Sequence, residues 1–124
     1  MIITKETTRS VPDTVDRLRE LLDAGGLKVF AVIDQAAEAE AVGLQLRPTV
    51  LVLFGSPAAG TPVMAAAPLA AVDLPLKVLI WADGGRTQVS YLDPAALAAR
   101  YELPADLAAN LAGIGPLTDA LVSP

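Results

Sequence analysis

The chain has 124 residues, 53% hydrophobic but only 4% aromatic, and its 9 basic and 14 acidic side chains give a formal net charge of −5. That length suits one domain, so residues 1–124 are read as a single domain with a core of Ala, Val and Leu. Zero cysteines and zero histidines exclude disulfides, thiol catalysis, His-Cys metal sites and a Ser-His-Asp triad.

The acidic balance also bears on partners. Arg17, Arg19, Arg47, Lys77, Arg86 and Arg100 are scattered rather than clustered, so neither nucleic acid nor an anionic membrane surface is expected to bind. Glu6 interrupts the N-terminus before any long apolar run, so no signal peptide is expected. The uncharged stretch 48–72 carries prolines and glycines in its middle, which a spanning helix would not tolerate. The expected location is cytoplasmic.

Ile2, Thr4 and Glu6 alternate with Ile3, Lys5 and Thr7, a half-buried first strand. Ser10 then stands as an N-cap with Asp13 three residues on, and Val11, Val15, Leu18, Leu21 and Leu22 recur at helical spacing. Gly25-Gly26 ends that helix. Residues 27–33 form a nearly continuous apolar run, which predicts a second strand buried on both faces. Asp34 caps a short Ala-rich helix over 36–42, closed by Gly43.

Residues 49–54 are the clearest strand, bounded by Pro48 and Gly55. Thr61-Pro62 reads as an N-cap followed by proline at the first helical position, starting a brief helix that Pro68 closes. Residues 76–82 and 86–92 flank Asp83-Gly84-Gly85, a hairpin signal. Asp93-Pro94 opens a C-terminal helical region broken at Pro104 and near Gly113-Ile114-Gly115-Pro116. The order β-α-β-(α)-β-(α)-β-β-α predicts an α+β two-layer sandwich with a largely antiparallel sheet.

The segment 54–62 is the most unusual. Gly55 and Gly60 have the separation of the glycines in a phosphate loop, but the lysine is missing and Pro57 removes a cradling N–H. The structural reading is a strand leaving the sheet through a rigid turn into a capped helix, as most Gly-Pro-rich turns are; the alternative is that the same loop helps line a small-molecule pocket, with Gly55, Ser56 and Thr61 as contacts beside Asp73-Leu74-Pro75. Among the carboxylates, Asp34 and Asp93 are explained as caps and Asp83 as a turn residue. Asp73 has the least obvious structural duty, which leaves it for a divalent cation or acid–base work. A Ser56–Lys77 dyad has no local support, and Trp81 and Tyr91 read as packed sheet aromatics.

Taken in order, these pieces resemble the domain of unknown function 302 family. They are Ser10 with its helix, the stretch 26–34, the stretch 43–49, Phe54-Gly55 with Pro57, the stretch 60–64, the stretch 73–77, and Ser90-Tyr91 before Asp93-Pro94. The resemblance spans nearly the whole chain. It implies a fold similar to the TATA-box-binding-protein-like class, a curved antiparallel sheet with a long helix across one face, and it transfers no activity or cofactor. Where family members often carry His after the aspartate ending the second strand, this chain has Gln35, and Ser56 stands where Asn is frequent. Gln35 can hydrogen-bond a ligand but cannot titrate.

The leading expectation is therefore a non-catalytic small-molecule-binding or regulatory module, with Gln35, Gly55, Ser56, Thr61 and Asp73 as ligand contacts. The alternatives are a carboxylate- or metal-dependent enzyme using Asp73, and a homodimeric interaction module that covers its sheet edges with a second copy.

Overall fold

A computed structural model describes the chain from Met1 to Pro124. In order it runs β1 (Ile2–Thr7), α1 (Val11–Ala24), β2 (Lys28–Asp34), α2 (Gln35–Ala41), β3 (Thr49–Gly55), α3 (Pro57–Ala66) and a 3-10 turn (Pro68–Val72). It continues with β4 (Leu76–Asp83), β5 (Arg86–Leu92), α4 (Pro94–Arg100), α5 (Ala105–Ala109) and α6 (Ile114–Val122). The strands form one sheet ordered β1-β5-β4-β3-β2, with every neighbouring pair antiparallel. The predicted α+β two-layer sandwich is what the chain adopts.

Strand alternation decides which residues meet the helices. Val50, Val52 and Phe54 of β3 stand opposite Ile80, Val78 and Leu76 of β4, so all six point to one face. On that face they meet Leu18 and Leu22 of α1 and Ile114 and Leu121 of α6 in one apolar cluster. Each such side chain contributes about 1.5–3 kcal/mol by leaving water. The opposite face carries Leu51, Leu53, Leu79 and Trp81, which stay only half-buried because α1 and α6 share the other side.

Helix α1 begins and ends as its residues dictate. The Ser10 hydroxyl accepts from the Asp13 N–H at 3.1 Å, and Gly26, with φ +68, closes the helix while Leu27 N–H donates to the Leu22 carbonyl. The apolar stripe misses one member. Thr14 is fully buried because its hydroxyl folds back onto the Ser10 carbonyl at 2.7 Å and hides its own polarity.

Two expectations are corrected. The apolar run of β2 does not lie inside the sheet: β2 is an edge strand paired only with β3, and Phe30 and Val32 are exposed. A register shift between Val29 and Ala31 puts a bulge at Phe30, a common device at sheet edges. The second correction concerns α3. It starts at Pro57, one turn earlier than Thr61-Pro62 suggested, with Ser56 as N-cap accepting from Ala59 N–H at 3.3 Å. Pro62 is inside the helix.

The earlier start has a packing reason. It places Val63 at the centre of a second small apolar cluster with Ala70, Leu97 and Leu111, where Leu74, Leu76 and Leu92 also pack. This cluster joins α3, the 3-10 turn and the C-terminal helices to the end of the sheet where β3 finishes and β4 begins.

Candidate functional site

At that end of the sheet a cleft of about 290 Å³ opens between β2, the β3–α3 junction, the turn into β4 and the turn that follows α5. Gly55, Ser56 and Thr61 line it together with Leu74 and Pro75. Gly55 forms its floor. A Cβ built there would meet a Phe30 ring carbon at 3.8 Å and Pro75 Cβ at 3.9 Å, so the two rings converge over the glycine at ordinary contact distance. Gly55 has no positive φ; its role is the room it leaves, not its backbone freedom.

Polar groups are few and lie at the rim. The Ser56 oxygen caps α3, Thr61 is exposed on the first turns of that helix, and the Asn110 amide donates to the Ala59 carbonyl at 3.1 Å, leaving its own carbonyl oxygen free. None of the 13 lining residues ionises. Phe30, Met64, Asn110 and Leu111 are the contributors that sequence reasoning did not single out. Phe30 was hidden in an apolar strand pattern; Met64 comes from α3, and Asn110 and Leu111 from the turn between α5 and α6, whose approach to this corner is a tertiary matter.

Asp73 and Gln35 lie elsewhere. Gln35 is the exposed first residue of α2, at the far end of β2, and it borders neither this cleft nor the next. Asp73 lines a separate cleft of about 450 Å³ with Lys77, Leu79, Trp81 and Ser90. It also has a structural duty after all. Its carboxylate accepts from the Tyr101 hydroxyl and from Arg100 Nη1 at 2.7 Å, tying the 3-10 turn to α4. These bonds, Tyr101 first and then Arg100, hold the Asp73 carboxyl below its ordinary range and raise the Tyr101 hydroxyl above its own. A carboxylate so engaged is a poor general base, and its immediate neighbours are a phenol and cations rather than further metal-binding oxygens.

Ser56 and Lys77 make no dyad. The Ser56 oxygen faces the α3 N-terminus, while Lys77 Nζ reaches the carbonyls of Asp73 and Pro75 at 3.3 and 3.5 Å. Tyr91 is buried under Lys5, whereas Trp81, on the uncovered face, donates its indole N–H to Ser90 at 3.0 Å.

Comparison with known proteins places this geometry in a family. Among curated proteins the chain is similar to Fluoride-specific ion channel FluC 1 of Brucella suis biovar 1, 37% identical over 122 residues that cover 94% of this chain and 48% of that protein. It is equally similar to Fluoride-specific ion channel FluC 2 of Brucella melitensis biotype 1, at 37% identity with 94% and 45% covered. The chain thus spans about half the length of the curated relatives it matches, and none of its helices is long and apolar enough to cross a membrane. Among solved structures it is similar in fold to an uncharacterized conserved DUF302 protein from Bacillus stearothermophilus, with a TM-score of 0.82, 21% identity and 98% and 94% of the two chains covered. A family model described as Domain of unknown function DUF302 matches residues 3–118. The chain belongs to the DUF302 family.

Proposed function

We propose that this chain is a non-catalytic ligand-binding or regulatory domain whose small, largely apolar ligand occupies the cleft over Gly55. The observation that carries the reading is the lining itself: two rings and several aliphatic side chains around a glycine floor, hydroxyl and amide groups only at the rim, and no ionisable group to move a proton. At about 290 Å³ the cleft is near the lower limit of ligand pockets, which suits a small molecule.

The regulatory half of the reading draws on the relatives named fluoride-specific ion channels. The matched region is less than half of those proteins and here contains no spanning helix, so it is suited to sense a ligand on behalf of a transport function. Fluoride itself is not the cleft's ligand. A small, strongly hydrated anion requires several converging donors, and this lining is apolar.

Native mass spectrometry of freshly purified protein tests the reading, with an added small mass expected on the wild-type chain. Gly55→Val should abolish it by filling the floor, and Thr61→Val should weaken it by removing a rim hydroxyl. Gly55→Ala should fold normally, since its methyl meets its neighbours at ordinary distance. Arg86→Ala, at the distant hairpin turn, should leave the ligand in place. Retention of the mass by folded Gly55→Val would put the ligand elsewhere.

A further inference from the structure

We propose that a split in the sheet between β4 and β5 is a second binding site, for a short extended peptide segment without charge. It is separate from the cleft over Gly55, with which its lining shares only Leu76. Strands β4 and β5 pair from Asp83 opposite Arg86 to Leu79 opposite Ser90, and no further. Beyond that point β4 goes on to Leu76 beside β3, and β5 goes on to Leu92 beside β1. The two strands part, and the cleft of about 450 Å³ opens between them, with Leu76 and Lys77 on one side and Tyr91 and Leu92 on the other. Leu97 of α4 and Ile114 of α6, both buried, close it from the helix side.

Register decides which backbone groups border the split. The Ala82 N–H donates to the Pro48 carbonyl on the β3 side at 2.9 Å. Every second residue from Ala82 down β4 therefore bonds to β3, and Trp81, Leu79 and Lys77 turn their N–H and C=O toward β5. The Asp93 N–H donates to the Met1 carbonyl on the β1 side at 2.9 Å, so Leu92, like Ser90, turns its own groups toward β4. Lys77 and Leu92 are thus the next hydrogen-bonded pair that the register calls for, and the ladder stops before them. Both line the cleft instead.

The polar side chains around the split are already engaged. Asp73 accepts from Tyr101 and Arg100, and Lys77 Nζ donates to the carbonyls of Asp73 and Pro75. The Ser90 hydroxyl accepts the Trp81 N–H and shares a 2.9 Å bond with Thr4. Asp73 and Lys77 carry opposite charges and are the only acid and base in the lining, so the site offers a ligand no net charge. What remains for a ligand is the backbone of Lys77 and Leu92 beside apolar walls. A hydrocarbon would leave those groups unbonded, and a carboxylate would bring acceptors alone together with a charge. An extended peptide carries donors and acceptors both, and its consecutive residues turn them to opposite sides, one toward Lys77 and the next toward Leu92.

The experiment uses the full chain with two probes, acetyl-Ser-Leu-Val-Ser-amide and the same peptide N-methylated at its two central residues. Calorimetry reads the affinity, and backbone amide shifts read the place. The first peptide should bind, shift the amides of Lys77 and Leu92, and keep its affinity as salt is raised, because it has no charge. N-methylation should weaken it about tenfold by removing the donors that the split requires. Leu92→Pro removes an N–H that faces the split rather than β1, and should weaken the first peptide by a similar factor while the other sheet amides stay in place. Should that variant fail to fold, the two probes on the wild-type chain decide alone. Arg19→Ala, on the exposed face of α1, should change nothing. Equal affinity for the two probes, or binding of neither at millimolar concentration, would overturn the proposal. So would shifts centred on Gly55 and Thr61, which would put the peptide in the other cleft. Concentration-dependent shifts at Lys77 and Leu92 in the protein alone would give the split to a second copy of the chain and overturn it too.

Discussion

The stability of single side chains follows the face they occupy. Leu18 is fully buried between the sheet and the C-terminal helix, so Leu18→Ala should cost about 2–5 kcal/mol in urea unfolding, the range for a buried cavity mutation. Arg19, the next residue, is exposed, and its alanine variant should stay within about 0.5 kcal/mol of the parent. Comparable losses from the two would mean that α1 is rotated from the position described. This contrast was legible in the amphipathic pattern of 11–22. The burial of Thr14 was not, because a hydroxyl that satisfies itself on the preceding turn looks, in sequence, like a solvent-facing polar residue.

Among the elements, α3 separates a local signal from the element it produces. Ser56-Pro57 and Thr61-Pro62 carry the same cap-and-proline pattern five residues apart, and nothing local ranks them. The packing of Val63 with Ala70, Leu97 and Leu111 selects the first. Ser56→Ala should therefore cost about 0.5–2 kcal/mol as a lost N-cap, whereas Thr61→Val, an exposed position within the helix, should cost less than about 0.5 kcal/mol. Thermal melts that reverse this order would restore the helix start at Thr61. For β2 the misreading has the same origin: a run of apolar residues records burial without saying where in the sheet the strand lies.

Across the whole molecule, two carboxylates couple stability to pH. Glu6 is held below its ordinary range by the Gln88 amide and then by Arg86, and Asp73 by Tyr101 and then by Arg100. In both cases the folded pKa lies under the unfolded one, so the unfolded chain takes up the proton first as pH falls. Their contribution is thus fully present above the ordinary values of 4.5 and 3.8 and is lost as pH falls through the folded values. With no histidine in the chain, the unfolding midpoint should be flat between pH 6 and 8 and drop below about pH 4.5. Asp73→Asn should lower the plateau and flatten the acid limb. A slope between pH 6 and 8 would contradict this assignment.

The sequence by itself determined the helices with two-ended signals, the β4–β5 hairpin, the α+β class and, through the motif order, the family, because caps, turns and periodicity act over a few residues. It also singled out Gly55, Ser56 and Thr61 beside Leu74-Pro75, since a glycine ending a strand before a capped proline is a local irregularity that packing alone does not demand. Tertiary structure alone decided that β2 is an edge, that Asp73 turns to Arg100 and Tyr101 instead of the cleft, that Gln35 lies apart, and that Phe30 and Asn110 complete the cleft wall. Those outcomes depend on side chains up to 80 positions apart in sequence, from Phe30 to Asn110. Such pairs meet only after the sheet order and helix docking are set, by burial summed over the whole chain rather than by any neighbourhood in it.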